Sequence, residues 1–295
     1  MRRRNFLKVM GAATFGFLAR RAFPLDLGGA CDVAVVRSPN LEAAAVRAVE
    51  LLGGIRRFVK PGDVVVVKPN IGFSSPPEVK ATTDPVLVRT LVHLCFQALA
   101  AKVYVFDRPV SNARLSYVTS GIKQAAEEAG ARVFFVEDQK LYRSVPVRGG
   151  VYLQETTVNR YVLESDVLIN APVAKQHSTS ELTLGMKNLM GVTGDNRSRW
   201  HWQIHDALSD FSLAVRSHLT VIDCSYIMTR GGPTGGNPAY LKKTDRVIAS
   251  ANVAQADAEA ALLFGRAPEQ IGYLRLAQQK GIGAIRGYSR QEITL

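Results

Sequence analysis

Four consecutive valines, Val64, Val65, Val66 and Val67, constrain this chain more than any other stretch. A run of β-branched side chains with no polar alternation makes a strand covered on both faces, as in a parallel sheet packed between helices. Pro61-Gly62-Asp63 forms the turn that launches it, and Lys68-Pro69-Asn70 ends it. A second run, at 166–169, stops in the same way at Asn170-Ala171-Pro172 and is followed by Lys175 and His177.

Strand and helix patterns alternate around these runs. Residues 33–36 read as a strand, and 41–52 as an alanine-rich helix stopped by Gly53-Gly54. Asp84-Pro85 reads as the N-cap and first position of a helix reaching about residue 100. Strands at 103–106 and 132–136 flank a helix over 116–129. The alternation predicts an α/β fold, a mostly parallel sheet flanked by helices with right-handed crossovers. Around 140–165 the pattern changes to short strands at 143–147, 151–153 and 161–163 about Gly149-Gly150, a small β-rich insertion. Beyond it the chain predicts a helix over 180–190, a helix from His205 toward 217, a strand at 219–222 ending in Asp223, a strand at 247–250, and helices at 254–264 and 268–280.

The first 30 residues are set apart from the fold. Arg3-Arg4-Asn5-Phe6-Leu7-Lys8, followed by a weakly hydrophobic stretch at 9–18 and then Arg20-Arg21, matches a twin-arginine signal and predicts export to a periplasmic or extracytoplasmic space. The apolar stretch is about half the ~20 residues that span a bilayer, so no transmembrane span is expected in the mature chain, residues 31–295. The cleavage site and lipidation of Cys31 stay open. Of the formal +12 charge, residues 1–30 hold six basic residues and one acidic residue, leaving +7 spread along the rest. No basic stripe interleaved with aromatics exists, so nucleic acid is not an expected partner, whereas an anionic small molecule or an acidic protein is. Cys31, Cys95 and Cys224 are three scattered cysteines, too few for a cysteine-only iron-sulfur cluster within this chain.

If the sheet is parallel, the polar strand ends at Lys68-Asn70, Lys175-His177 and Asp223 meet on one edge. Lysine and asparagine there suit a carboxylate or phosphate, and glycines let backbone N–H groups approach it. The expected binding set is Lys68, Asn70, Lys187 and Asn188, with Gly232, Thr234, Gly235 and Gly236 forming a glycine-rich wall. The expected chemical set is Lys175, His177, His205 and Asp223, with His177 or His205 moving protons; Asp107 is a further acid or base. His201 and His205, at i and i+4, face one way on a helix and could join His177 in a metal set, but Trp202 stands where a zinc protease has its glutamate. The metal therefore stays open, and packing is the first account of His201. Neither a Walker loop nor a G-x-G-x-x-G follows a strand, and no G-x-S-x-G is present.

Several of these segments together resemble the family catalogued as domain of unknown function 362. They are Val67-Lys68-Pro69-Asn70, Ala81-Thr82-Thr83-Asp84-Pro85, the strand ending at Asp107, the run at 166–172, Met186-Lys187-Asn188 within 184–191, and Ile222-Asp223 with the later Gly-Gly-Pro-Thr-Gly-Gly loop. The resemblance extends from about Val64 to Gly283. It departs at Val173, where the family often has a first lysine before Lys175 and His177, and at Asn252, where it usually has aspartate. The family likeness implies a fold and a site location without an activity. Some relatives carry ferredoxin-type segments, and some twin-arginine signals. The expected function is binding of an anionic small molecule or cofactor in a cleft at the strand ends, as a redox-associated enzyme. The alternative is a non-catalytic accessory or maturation factor for an iron-sulfur or other cofactor-bearing partner.

Overall fold

The computed structural model describes residues 31–295, so the segment expected to be a twin-arginine signal lies outside the described residues. In chain order the elements are β1 (Val33–Arg37), α1 (Leu41–Leu51), β2 (Val64–Pro69), α2 (Pro85–Gln97), β3 (Lys102–Val105), α3 (Ala113–Thr119), α4 (Ile122–Glu128) and β4 (Arg132–Val133). There follow β5 (Tyr142–Pro146), β6 (Glu155–Asn159), α5 (Arg160–Glu164), β7 (Val167–Ala171), β8 (Val173–His177), β9 (Glu181–Thr183), α6 (Gly185–Asn188) and α7 (Arg197–Trp200). The chain ends with α8 (Ile204–Ala214), β10 (Leu219–Met228), β11 (Leu241–Ser250), α9 (Val253–Leu263), α10 (Gly272–Gln279) and β12 (Arg290–Thr294).

Ten of the strands form one sheet, with its main path in the order β12-β1-β11-β10-β7-β2-β3-β4. From β10 to β4 every neighbour is parallel, and antiparallel β11 lies between β10 and β1. Strands β5 and β6 form the separate antiparallel insertion. The valine run behaves as its composition requires. Val66 belongs to the apolar layer that contains Phe106, Leu208 and Phe211, while Val65 and Val67 point into the opposite layer with Leu87, Leu91 and Ala48.

Local capping explains several boundaries. Asn40 accepts a hydrogen bond from Ala43 N at 3.0 Å to start α1, and Asp84 accepts one from Val86 N at 3.0 Å to start α2 beside Pro85. The helix expected over 116–129 is instead α3 and α4, because Gly121 at φ 71° interrupts it. The strand expected at 161–163 is the helix α5, opened by Asn159, which accepts from Tyr161 N at 3.0 Å.

Three further expectations yield to tertiary pairing. The helix expected over 180–190 begins as β9, because 181–183 pair with β8 in the register Lys175↔Thr183 and His177↔Glu181. The strand expected to stop at Asp223 continues to Met228, first beside β7 and then beside β8, with Asp223 opposite Val173. Its antiparallel neighbour β11 is correspondingly longer than the 247–250 segment expected. Among the described residues no helix is long and apolar enough to cross a membrane. Cys31, Cys95 and Cys224 are all free thiols, and three thiols cannot ligate a cluster that needs four.

Candidate functional site

Parallel pairing of β2 with β7 places Lys68 beside Asn170 at one edge of the sheet. After Pro172 the chain does not turn away but continues as β8 along β10, which carries Lys175 and His177 beyond that edge. A cleft of about 710 Å³ opens there, lined among others by Lys68, Asn70, Lys175, His177, Lys187 and Asn188. All six were expected at one rim. Asp107, Arg108, Arg197 and His201 join them.

The cleft floor is a hydrogen-bond network anchored on Lys68. Its Nζ lies 2.9 Å from Asp107 Oδ1 and donates to Asn188 Oδ1 at 2.8 Å. Asn188 Nδ2 donates in turn to Asn170 Oδ1 at 2.9 Å, and Asn170 Nδ2 donates to Gly185 O at 2.9 Å. Asp107 also accepts from the backbone N–H groups of Ile71 at 2.6 Å and Arg108 at 2.8 Å. Both its oxygens are therefore engaged in holding Lys68 and two loops together, which argues against the acid or base role expected for it. Burial pushes Lys68 down to about 8, with Asp107 opposing and Arg197 adding to the shift. Gly191 makes this contact feasible, since a Cβ there would lie 1.7 Å from Asp107 Oδ1 and 2.6 Å from Lys68 Nζ.

Among the described residues the other two lysines of the cleft have no such partner. Lys175 is fully buried; its Nζ donates to Ala81 O at 2.5 Å and to Asn70 Oδ1 at 3.5 Å, and lies 5.1 Å from the Phe73 ring centroid. Both acceptors are neutral. Lys187 Nζ reaches Met190 Sδ at 3.6 Å, a weak acceptor. Burial, then repulsion from Lys187, pushes Lys175 down to about 7, while burial and the nearby Arg197 and Lys68 push Lys187 down to about 8.

The two imidazoles of the cleft stack with centroids 5.7 Å apart and planes at 30°. Their hydrogen bonds distinguish them. His177 Nδ1 accepts from Thr179 N at 3.1 Å and Ser180 N at 3.3 Å, so the ring proton of the neutral form is on Nε2. Burial, with Lys187, His201 and Lys175 adding repulsion, pushes His177 down to about 3. In its neutral form it presents Nε2–H as a donor. His201 Nδ1 lies 2.9 Å from Arg197 O, a carbonyl that can only accept, so His201 carries its proton on Nδ1 and leaves Nε2 with a lone pair. Burial lowers the pKa of His201 as well.

Three groups of expected residues lie elsewhere. His205 is outside the cleft, stacked on Tyr273 with centroids 6.2 Å apart and packed so closely on Gly272 that a Cβ there would meet its Cγ at 2.6 Å. The i, i+4 argument fails because 201–203 form a 3₁₀ turn and α8 starts only at Ile204, with Gln203 at φ −137°. The rings of His201 and His205 therefore do not share a face, and among the described residues no group of three His, Cys, Asp or Glu side chains is placed to hold a metal.

Asp223 is buried in mid-strand, where it accepts from Asp84 N at 3.1 Å and Ser225 N at 3.0 Å, tying α2 to β10. Burial and then Asp84 raise its pKa. Of the glycine-rich loop, Pro233 lines the cleft, whereas Gly232, Thr234, Gly235 and Gly236 do not. Gly232 instead packs on β8, where a Cβ would meet Gln176 O at 1.8 Å, and its N–H donates to Gln176 Oε1 at 3.1 Å.

Arg108, Thr183 and Arg197, which the sequence did not assign to the site, and His201, which it weighed for packing or a metal set, lie in a loop after β3, in β9, at the start of α7 and just beyond α7. Arg197, for example, opens α7, 89 residues after Arg108, and donates to Arg108 O at 2.7 Å. No spacing signal announces such a contact.

The chain is 27% identical over 227 residues to the thylakoid-associated protein sll1697 of Synechocystis sp., an overlap that takes in 70% of this chain and 67% of that protein. Among solved structures, a Thermotoga maritima protein overlaps 78% of this chain and 60% of its own with a TM-score of 0.44 at 13% identity. The lactate racemase apoprotein of Thermoanaerobacterium thermosaccharolyticum overlaps 81% of this chain and 57% of its own with a TM-score of 0.49 at 9% identity. The chain thus spans less than two thirds of either solved protein, and neither overlap transfers a substrate or a residue role to it. A family model, Domain of unknown function (DUF362), matches residues 65–261, and the chain belongs to that family.

Proposed function

We propose that this protein binds an anionic small molecule or cofactor in the cleft beyond β2 and β8. One observation carries the reading. Among the described residues Lys175 and Lys187 are held in the cleft without a carboxylate partner, their acceptors being a carbonyl, an amide oxygen and a thioether. An isolated ammonium in such surroundings costs several kcal/mol, which a bound anion offsets. Asp107 is already committed to Lys68.

Within that reading, His201 Nε2 is the group that takes a proton from the ligand, and His177 Nε2–H donates to it. This supports an enzyme over a passive carrier, because a donor and an acceptor at 5.7 Å separation between ring centroids can act on one bound molecule. We also propose export by the twin-arginine route, from Arg3-Arg4 and the residues that follow; replacing both arginines with lysine should hold a reporter fusion in the cytoplasm.

The anion reading is tested by thermal unfolding with a panel of inorganic and organic anions at constant ionic strength. A ligand that binds the folded state alone raises the midpoint, and Lys175→Met and Lys187→Met should each abolish that rise. Midpoints that ignore every anion, or respond equally in the variants, remove the cleft from consideration. Mass spectrometry and metal analysis after gentle purification separate the two uses of the site. A retained small molecule favours the enzyme, and co-purification of an empty protein with a cofactor-bearing subunit favours the maturation factor.

A further inference from the structure

The floor and rim of the cleft differ in chemistry. Lys68, Lys175, His177, Thr183 and Asn188 are each under 9% exposed and supply the floor. Phe73, Pro109, Val110 and Pro233 supply an apolar rim that is partly or largely open to solvent. Several donors of the cleft lack an oxygen or nitrogen acceptor among the described residues. Thr183 Oγ1 is buried with no hydrogen-bond partner, directly across the strand pair from Lys175. One of the three Lys175 N–H groups is left over after Ala81 O and Asn70 Oδ1. Lys187 has a sulfur alone, and His177 Nε2–H completes the set.

Charge balance then limits what can fill the space. The Lys68 charge is matched by Asp107, whereas the Arg197 guanidinium directs two of its five N–H donors at the neutral Arg108 O and Pro109 O, which orients it without cancelling its charge. Lys175 and Lys187 add two ammonium groups whose acceptors are likewise neutral. A monoanion would leave one of them unmatched in a low-dielectric cleft, whereas two negative charges on one head match both. The volume, about 710 Å³, falls in the range of sites for whole organic ligands and exceeds what a bare ion fills.

We infer that the cleft takes an organic dianion, with a doubly charged oxyanion head between Lys175 and Lys187, hydrogen-bonded by Thr183 and His177, and a less polar body along Phe73, Pro109, Val110 and Pro233. The inference rests on the anion-binding reading and narrows it. It also carries a proton count. The negative charge of a bound dianion favours the ammonium forms against the burial and repulsion that hold Lys175 near 7 and Lys187 near 8, so binding above neutral pH takes up protons from solution.

Isothermal titration calorimetry on the full-length protein at pH 8.5, in two buffers of different ionisation enthalpy, tests it. The probes are phenyl phosphate, phthalate, benzoate and inorganic phosphate. The expected result is that phenyl phosphate or phthalate binds about tenfold or more tighter than benzoate, with net proton uptake; which of the two binds tighter distinguishes a phosphomonoester from a dicarboxylate. Lys187→Met should erase that preference by weakening the dianion far more than benzoate, and Thr183→Val should weaken the dianion several-fold. Neither variant removes a paired charge, and an unchanged unfolding transition verifies their folding. Benzoate binding as tightly as both dianions, without proton uptake, overturns the dianion while leaving anion binding standing. Inorganic phosphate binding as tightly as phenyl phosphate overturns the organic body. No binding by any probe overturns this inference together with the reading beneath it.

Discussion

Lys68 Nζ and Asp107 Oδ1 lie 2.9 Å apart with side-chain exposures of 2% and 3%, the best-buried ion pair at the cleft. Removing one partner of such a pair leaves a buried charge uncompensated, at a cost of about 3–5 kcal/mol. Asp107→Asn should therefore lower unfolding free energy by about that amount in chemical denaturation. The double variant Lys68→Met with Asp107→Asn should lose clearly less than the sum of the singles. Strict additivity would show that the two residues are not coupled.

Gly191 should be intolerant of a methyl group, although nothing in its backbone angles requires glycine. A Cβ would fall 1.7 Å from Asp107 Oδ1, and overpacking of this kind costs about 1–3 kcal/mol. Gly191→Ala should show that loss in denaturant melts and should also lose anion-dependent stabilisation, since the displaced pair borders the site. Full anion response with wild-type stability would contradict the close approach.

Lys175 makes stability depend on pH in a definite direction. Its folded pKa, about 7, lies below the ordinary 10.5, so between these values the unfolded chain binds more protons and stability rises with pH. Below about 7 the ammonium is charged in both states and its burial penalty is fully present; above 10.5 it is neutral in both. Lys175→Met should accordingly be more stable than the wild type by about 2–4 kcal/mol at pH 6, with the gap closing toward pH 10. Denaturant titrations at pH 6, 8 and 10 measure it. A constant gap would mean that Lys175 does not titrate differently in the two states.

The two stacked imidazoles should hold opposite tautomers. Long-range nitrogen-proton correlation spectra of protein labelled at histidine should show His177 with its proton on Nε2 and neutral down to about pH 4, and His201 with its proton on Nδ1. Signals are assigned with His177→Gln and His201→Gln. Finding neutral His177 with its proton on Nδ1 and a bare Nε2 would overturn the donor role.

What could be read from the chain follows from local rules. The valine run required a strand covered on both faces, and its three core positions do divide between two apolar layers. Asp84-Pro85 and Gly53-Gly54 marked helix ends because capping depends on neighbouring residues alone. Parallel alternation was enough to put Lys68 and Asn70 at the right sheet edge, while Lys175 and His177 reached the same cleft on β8 and Lys187 and Asn188 on α6, after the antiparallel β9.

The amino-acid order by itself thus determined the α/β alternation, the small insertion and the sheet edge at which basic side chains collect, since burial, turn chemistry and crossover handedness act through short-range pattern. Tertiary structure decided the rest. Whether Asp223 ends a strand or sits inside one depended on β8 being present to extend β10, and whether His201 and His205 share a face depended on a 3₁₀ turn between them. The pairing of Lys68 with Asp107, and the absence of any such partner for Lys187 among the described residues, came from segments distant in the chain. Charge compensation in a buried cleft is set by three-dimensional proximity, and sequence periodicity carries no record of it.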